Sequence, residues 1–340
     1  MQIKKVNKEI WFNINKVLEK DCLVNIIYGG RGIGKTYSCL KYAYEHYFKT
    51  GYGTIYLRRF KEELKDFQGM LNNIIADGNI DGSKIKFEKG KKFIDIENNK
   101  RIIQAMPLST AVTKKSNDFS DIDTIIYDEF IIANSNYQYI PDEFKTFHNF
   151  YETIARLREI TQGVVVKAIL LANPENRNNP YFIGYNIPLN TKKLYIKDDL
   201  LVLHADSHDF MEIKKTTRWG KFISTHTNME EYIEGNFKNN NEYLIDKLPQ
   251  HTTYIATFIY LDTKIGVYRT NDHKIILSKK YNEQNKNVFA LTKADRTPDY
   301  QLLDKKNPYI MHLIMYNKAG QLFFDDYKIQ AIFFDILKLL

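Results

Sequence analysis

Residues 29–36, GGRGIGKT, match the phosphate-binding pattern G-x-x-x-x-G-K-[ST] without a break. The preceding segment 23–28 is apolar and β-branched, and residues 38–48 contain no Gly or Pro, so the motif lies between a predicted strand and a predicted helix. Its glycines let backbone N–H groups point at a phosphate, and the helix N-terminus adds partial positive charge. The pattern predicts a nucleoside triphosphate site, with Lys35 on the β- and γ-phosphates and Thr36 on Mg²⁺. The predicted nucleotide-binding residues are Gly29, Gly30, Arg31, Gly32, Ile33, Gly34, Lys35 and Thr36.

Length, composition and the lack of long apolar runs limit the class of protein. With 340 residues, 44% hydrophobic and 14% aromatic, the chain can form one large domain or two ordinary ones and is not a disordered tail. No apolar run approaches the roughly 20 residues of a membrane span, and residues 1–12 lack the apolar stretch of a signal peptide. Cys22 and Cys39 are expected to be reduced core thiols. We therefore expect a cytosolic protein with no membrane partner.

The chain has an excess of basic residues. Lys and Arg number 49 against 41 Asp and Glu, which gives a net charge of +8. On a nucleotide-binding protein this excess suggests a polyanionic partner such as nucleic acid. A lysine-rich proteome explains it equally well, since Asn, Lys, Ile and Tyr are all abundant here. Charge alone leaves both explanations open.

The order of predicted elements indicates an α/β fold. Over residues 1–197 strand-like and helix-like segments alternate, which favours a mainly parallel sheet with helices on both faces. A charged, polar stretch begins at residue 198, so we predict a linker over 198–240. Three short strands with tight turns and a final amphipathic helix then predict a small α+β domain over 241–340. The predicted strands are 54–58, 84–104 as a ribbon, 124–127, 164–171, 253–261, 264–269 and 274–278, and the predicted helices are 61–76, 144–159 and 327–340.

Residues 124–129, TIIYDE, form an apolar strand that ends in two adjacent carboxylates. In this Walker B pattern the first acid, Asp128, orients Mg²⁺, usually through its water shell. Glu129 is then placed to polarise an attacking water. The adjacent pair marks the ASCE branch of P-loop proteins, which hydrolyses ATP for mechanical work, whereas nucleotide kinases and small GTPases lack it.

Further candidates follow other predicted elements. Asn173 comes directly after a strand, where a polar side chain would lie beside the γ-phosphate, but an Asn before Pro174 also ends strands for structural reasons. Arg156 and Arg158 are near the end of the preceding helix. Either one could stabilise charge at a neighbouring subunit's nucleotide, and a solvated helix arginine is the default interpretation of both. Residues 58–61, RRFK, could contact phosphates of a neighbour's ATP or of DNA, or form a solvated charge cluster.

In their order along the chain these motifs resemble those of the DNA-packaging ATPases of small tailed phages with protein-primed linear genomes, the phi-29 type. The resemblance covers nearly the full chain and is strongest before residue 220. The phosphate loop alone is generic, whereas the ordered set is specific. Besides that loop, the segments that carry it are 56–61 (YLRRFK), 106–109 (MPLS), 115–117 (KSN), 127–130 (YDEF), 136–141 (NYQYIP), Asn173, 179–182 (NPYF), 215–220 (KTTRWG) and 286–289 (KNVF).

This resemblance implies a homopentameric ring that docks on the prohead at the portal vertex, in the host cytoplasm. The ring would use ATP and Mg²⁺ to pump double-stranded DNA inward. Its implied partners are double-stranded DNA, the portal (connector) protein, the prohead and a packaging RNA.

The resemblance also implies roles for single residues. Arg156 becomes the trans-acting finger, with Arg158 less favoured, and Lys61 a second trans-acting contact. Where the family has a sensor-like Ser-Asn pair this chain has Ala172-Asn173, so only Asn173 carries over. The implied catalytic residues are Glu129, Arg156, Lys35, Lys61 and Asn173, and the implied metal ligands are Thr36 and Asp128.

The C-terminal part is similar to a reduced, vestigial RNase H-like nuclease domain. Active versions project a carboxylate from the first strand into a two-metal site. The predicted strand 253–261 carries none, and Asp262 falls in the turn after it. Asp325 and Asp326 are adjacent and would point to opposite faces of an extended segment. We therefore predict that this domain has no nuclease activity.

The sequence supports the hypothesis of an ATP-driven double-stranded DNA translocase that packages a viral genome. One alternative is a cellular P-loop DNA motor or helicase, for which the aromatic content offers material but no visible stacking motif. Another is a nucleotide-gated assembly protein that does not translocate DNA.

Overall fold

The apolar segments of the first part of the chain form a large sheet in the computed structural model. The structure describes residues 10–89, 91–111, 118–132, 139–175, 179–188, 193–205, 208–226, 245, 247–292, 294–302 and 307–339. Two units can be distinguished, the first formed by Met1–Glu175 and Lys192–Lys238 and the second by Asn176–Thr191 and Asn239–Leu340. Of the segments that carry the family resemblance, residues 115–117 and 136–138 lie outside the described part of the chain.

The first unit contains strands and helices in alternation. Its strands are β1 Val24–Gly29, β2 Gly53–Arg58, β3 Ile85–Glu88, β4 Lys92–Asp95, β5 Arg101–Pro107, β6 Ile122–Asp128, β7 Lys167–Ala172, β8 Leu194–Lys197 and β9 Leu200–Ala205. Its helices are α1 Asn15–Leu18, α2 Lys35–Thr50, α3 Phe67–Ala76, α4 Leu108–Ala111, α5 Glu143–Ala155, α6 Arg158–Gln162, α8 His208–Thr216 and α9 Arg218–His226, with 3₁₀ turns at Lys61–Leu64 and Gly82–Lys84.

The nine strands of this sheet follow the order β3-β4-β5-β2-β6-β7-β1-β9-β8. The central strands from β5 to β9 run parallel, and antiparallel strands lie at both edges. The parallel strands are apolar and buried along most of their length, as expected of strands covered on both faces. Because β7 lies between β1 and β6, the carboxyl ends of these three strands are adjacent. The predicted α/β fold with a mainly parallel sheet is confirmed.

The prediction of a linker at 198–240 was wrong for its described residues. The segment 200–205, LLVLHA, forms β9 and pairs in parallel with β1, so it belongs to the centre of the sheet. Residues 208–226 form α8 and α9. The strand was missed because it is short and flanked by Asp198, Asp199 and Asp206, whose charge dominates the local composition.

The bounds of other elements differ from the predictions by a few residues. The helix expected over 61–76 begins as a 3₁₀ turn, and the helix expected over 144–159 is divided between α5 and α6. The break falls at Arg156, whose φ is +40°. The strand expected over 164–171 begins at Lys167.

The second unit is a six-stranded mixed sheet with helices. Its elements are α7 Pro180–Gly184, β10 Thr252–Tyr260, β11 Thr263–Thr270, β12 Ile275–Ser278, β13 Val288–Ala290, β14 Gln301–Leu302, α10 Pro308–Lys318, β15 Leu322–Phe324 and α11 Tyr327–Leu339. Strands β10, β11 and β12 form the predicted antiparallel meander, and Leu261 and Asp262 adopt positive φ in its first turn. Strands β13 and β15 pair in parallel with the two outer strands of the meander.

The meander and the final helix confirm the predicted small α+β architecture of this unit. The RNase H-like character and the expected lack of nuclease activity stay predictions. In the part of the chain that the structure describes, no helix combines the length and apolar character that a membrane crossing requires.

Candidate functional site

The phosphate loop connects the carboxyl end of β1 to the amino end of α2. Gly32 and Gly34 have φ of +85° and +87°, a backbone conformation that residues other than glycine rarely adopt. Gly29 has no room for a side chain, because a Cβ there would lie 2.6 Å from the carbonyl oxygen of Ala205. The side chain of Ile33 is buried in the core, so Ile33 can offer only its backbone to a ligand. The local sequence thus fixes the loop with its backbone turned outward.

Lys35 is held by the loop that precedes it. Its Nζ donates to the carbonyl oxygens of Gly29 and Gly30, both at 2.8 Å, and to Asn173 Oδ1 at 3.3 Å. The side chain is buried, and this burial lowers the pKa of Lys35 to about 8, against the opposing effect of Asp128. Lys35 and the predicted sensor Asn173 are therefore brought together, as the strand order requires.

Two oxygen ligands meet at the end of β6. Thr36 Oγ1 donates to Asp128 Oδ2 at 2.8 Å, and the Tyr56 hydroxyl donates to the same oxygen at 2.7 Å. Burial, and next the charge of Asp128, raise the pKa of Tyr56 well above its ordinary value, so the phenol stays a donor. Hydroxyl and carboxylate oxygens are the ligands that Mg²⁺ prefers beside substrate phosphates. Thr36 and Asp128 therefore fit a Mg²⁺ site, and Tyr56 orients the carboxylate.

Glu129 begins the turn after β6 with a φ of +57°. Its backbone N–H donates to Asp128 Oδ1 at 3.0 Å, while its side chain is 49% exposed. Arg58 Nη2 lies 2.5 Å from Glu129 Oε2, and Arg58 Nη1 lies 3.6 Å from Asp128 Oδ2. Arg58 is itself buried at the end of β2. One guanidinium thus contacts both Walker B carboxylates.

Arg59 forms a buried ion pair with Glu143, the first residue of α5. Its Nε and Nη2 donate to the two carboxylate oxygens at 2.7 and 2.9 Å, and its other bonds go to the carbonyl oxygens of Glu129 and Phe130. Both side chains are buried, so the interpretation of a solvated charge cluster was wrong for Arg58 and Arg59. A phosphate contact by residues 58–61 stays a prediction. In that segment Lys61 is exposed.

The two candidate finger arginines have different environments. Arg158 is buried and donates to the carbonyl oxygens of Ser120 and Ile122 at the amino end of β6. Arg156 is exposed and follows the last residue of α5. Because α5 starts beside Arg59 and rises about 1.5 Å per residue, its far end lies on the order of 20 Å away. The structure therefore makes Arg158 a structural cation and places Arg156 too far away to reach the site of its own subunit.

Several of the candidate catalytic residues line an open cavity of about 980 Å³. Asp128, Glu129, Ala172 and Asn173 line it on the sheet side. Its loop side is formed by Arg31, Gly32, Gly34, Lys35 and Thr36. Lys61 and Arg156 are not among the described residues that line the cavity, and their trans-acting roles stay predictions.

Comparison with known proteins identifies the family. The sequence pattern of the podovirus DNA encapsidation protein (Gp16) family matches residues 6–340. The chain belongs to this family. The DNA packaging protein of Bacillus phage B103 is 31% identical over 327 residues, which are 95% of this chain and 98% of that protein. The DNA packaging protein of Bacillus phage phi29 is 29% identical over 337 residues, 98% of each chain.

Two solved structures of phi29 packaging proteins are also similar to this chain. A chain of the bacteriophage phi-29 viral genome packaging motor assembly is 28% identical, with a TM-score of 0.76 over 97% of this chain and 99% of that one. The N-terminal domain of the DNA packaging ATPase from bacteriophage phi29 is 33% identical, with a TM-score of 0.50 over 59% of this chain and 99% of that domain. The family resemblance inferred from the motifs is confirmed.

Sequence reasoning missed how four residues of this encapsidation-family chain position the candidate catalytic groups. Tyr56, Arg58, Arg59 and Glu143 all contact the Walker B turn or its neighbours. The roles of Tyr56, Arg58 and Arg59 could have been inferred from their positions. They lie in or just after a strand predicted to be buried, where a polar side chain requires a partner. Glu143 offered no such signal, because its partner is 84 residues away in sequence.

Proposed function

We propose that this chain is an ATP-driven double-stranded DNA translocase that packages a viral genome into a preformed capsid. One observation carries the proposal: Lys35, Thr36, Asp128, Glu129 and Asn173 converge on one cavity in a chain similar over 97% of its length to a packaging motor subunit. The printed names of its relatives describe DNA packaging proteins and a packaging ATPase.

In this proposal the residues of one subunit divide the chemistry of ATP hydrolysis. The loop N–H groups and Lys35 bind the triphosphate, and Thr36 and Asp128 hold Mg²⁺, which when bound neutralises charge on the β- and γ-phosphates. Glu129 polarises the attacking water, and Asn173 orients the γ-phosphate. Arg58 fixes the rotamer of Glu129 and therefore influences when that carboxylate can accept a proton.

A second subunit completes the site. Arg156 stabilises the transferred charge in the neighbour's site, and Lys61 makes a further contact across the interface. The distance between Arg156 and its own cavity supports a role in trans. Leu157 and Ile160, which are 66% and 84% exposed, lie in the segment that follows Arg156, as expected where a surface is covered by another subunit. A pentameric ring is the assembly we propose.

The ring would act in the host cytoplasm, docked on the prohead at the portal protein, with a packaging RNA as an additional partner. Contacts to DNA should be mostly to phosphates, because a packaging motor must accept any sequence. Each phosphate contact that is lost should reduce the salt slope of DNA binding by about 0.9. DNA binding that is indifferent to salt would contradict this electrostatic interpretation.

The first test is steady-state ATP hydrolysis with and without duplex DNA at low salt. Stimulation by duplexes of unrelated sequence is the expected result. A preference for single strands would favour a helicase. Hydrolysis without any response to DNA, in the presence of portal-bearing proheads as well, would overturn the translocase proposal.

Glu129→Gln tests the catalytic assignment. The amide cannot accept a proton from water, so the variant should bind ATP with unchanged affinity and lose turnover by a factor of about 10²–10⁴. Glu152→Gln, on the exposed face of α5, is the matched control and should retain turnover. Unchanged hydrolysis in Glu129→Gln would refute the role of Glu129 and favour a nucleotide-gated assembly protein.

A further inference from the structure

The catalytic cavity extends beyond the phosphate loop to an exposed tryptophan. Trp11, Asn13 and Asn15 also line it, together with Tyr37 and Lys41 of α2. A triphosphate would contact the loop and the sheet side only. The cavity, about 980 Å³, is of the size that encloses a whole small-molecule ligand, so it also has room for the ribose and base. No catalytic role described above uses these residues.

We infer that Trp11 binds the base of the nucleotide by stacking its indole ring on it. The inference rests on the proposed function, since it concerns the same nucleotide. Trp11 is 46% exposed and lines the cavity. An exposed indole that lines the cavity offers a flat apolar face, and every base has a face that can stack on it.

The segment that carries Trp11 is fixed to the phosphate loop. The backbone N–H of Phe12 donates to the Ile33 carbonyl at 3.0 Å, and that of Ile14 donates to Ser38 Oγ at 2.9 Å. These bonds tie the residues directly after Trp11, one to the loop and one to α2. Trp11 therefore has a defined position relative to the phosphates and does not belong to a free tail.

The ring of Trp11 is supported on one side. Its centroid lies 5.4 Å from that of Phe210, with the planes tilted by 55°. A Cβ placed on Gly34 would lie 3.5 Å from Trp11 Cε3, so the indole reaches the residue directly before α2. Phe210 and the loop thus support the indole while nearly half of it stays accessible, which lowers the entropy lost when a base stacks.

Polar side chains line the same cavity as Trp11. The Tyr37 hydroxyl donates to Asp77 Oδ2 at 3.0 Å and accepts from Asn79 Nδ2 at 2.8 Å, while Lys41 Nζ donates to Asn79 Oδ1 at 3.3 Å. This set contains both donors and acceptors, as base edges do. Stacking supplies affinity for any base, and these groups are the ones available to discriminate between bases.

Trp11 and Trp219 are the only tryptophans of the chain, which makes fluorescence a direct test. In full-length Trp219→Phe protein all tryptophan emission comes from Trp11. Addition of MgADP should change that emission with saturation, whereas magnesium pyrophosphate, which has no base, should leave it nearly unchanged. Equal changes with both ligands would overturn the inference, because they would indicate a loop movement and not a stacked base.

Calorimetry of Trp11 variants gives the second readout. Trp11→Ala should raise the Kd for MgADP roughly 5- to 150-fold, the range for one base stacked on an aromatic ring, and leave the Kd for magnesium pyrophosphate unchanged. Trp11→Phe should keep most of the affinity, and Trp219→Ala, the matched control, should change neither Kd.

The outcomes separate this inference from the proposed function. If the wild-type chain binds neither MgADP nor magnesium pyrophosphate, the proposed nucleotide site itself is wrong. If Trp11→Ala weakens both ligands equally, or neither, the site stands and the stacking role of Trp11 is refuted.

Discussion

The buried pair of Arg59 and Glu143 should be among the strongest single contributions to the stability of the first unit. The two side chains are 4% and 0% exposed. Glu143 also accepts from the Tyr127 hydroxyl at 2.8 Å and from the Ile140 N–H at 3.0 Å. Glu143→Ala would leave the Arg59 charge buried and a phenol and an amide without their acceptor. Removal of one partner of such a pair costs about 3–5 kcal/mol.

We expect Glu143→Ala to lower the free energy of unfolding by about 3 kcal/mol, the lower end of that range, because Arg59 keeps its bonds to two backbone carbonyls. Both tryptophans lie in the first unit, so urea titrations followed by tryptophan fluorescence report on that unit alone. Glu152→Ala, an exposed glutamate of the same helix, is the control and should shift stability by no more than about 0.5 kcal/mol.

A double variant distinguishes charge from packing. Arg59→Met combined with Glu143→Leu removes both charges and keeps most of the buried volume, so it should recover most of the lost stability. A loss below about 1 kcal/mol in Glu143→Ala would refute the reasoning. So would a double variant as unstable as the single one, since the cost would then come from packing and not from an uncompensated charge.

Further predictions concern the other buried and exposed cations. Burial lowers the pKa of Lys35 from 10.5 to about 8. Between these two pH values the unfolded chain therefore binds more protons than the folded chain. The free energy of unfolding should rise with pH over this window, by about 3 kcal/mol in total. Urea titrations below, within and above this window should show the rise in the wild type and not in Lys35→Met. Arg158→Ala removes bonds to the carbonyl oxygens of Phe119, Ser120 and Ile122 and should cost about 2–4 kcal/mol in the same assay, and near-wild-type stability would contradict the structural role. Arg156→Ala should keep stability and nucleotide affinity and lower ATP turnover of the assembled ring by about 10³, and full turnover would exclude it as the finger.

The sequence predicted those parts of the fold whose causes are local. The strand–loop–helix around residues 29–36 and the strand that ends at Asp128 were read correctly, because each needs only contiguous residues of the right type. The meander of β10, β11 and β12 was found for the same reason, although its first turn lies one residue earlier than predicted. Strand β9 was missed because a strand of six residues between charged neighbours gives too little local signal.

What the sequence determined by itself is the chemistry: a phosphate loop, a Walker B pair and a polar residue at the next strand end predict nucleotide binding and hydrolysis. The tertiary structure decided which of these cations are buried and which are exposed. In the sequence Arg58, Arg59 and Arg158 look no different from surface arginines, yet each is buried against acceptors that are distant along the chain. Arg156, two residues from Arg158, is exposed. Which acceptor each arginine contacts depends on how the sheet and α5 pack, and no local pattern in the sequence encodes it.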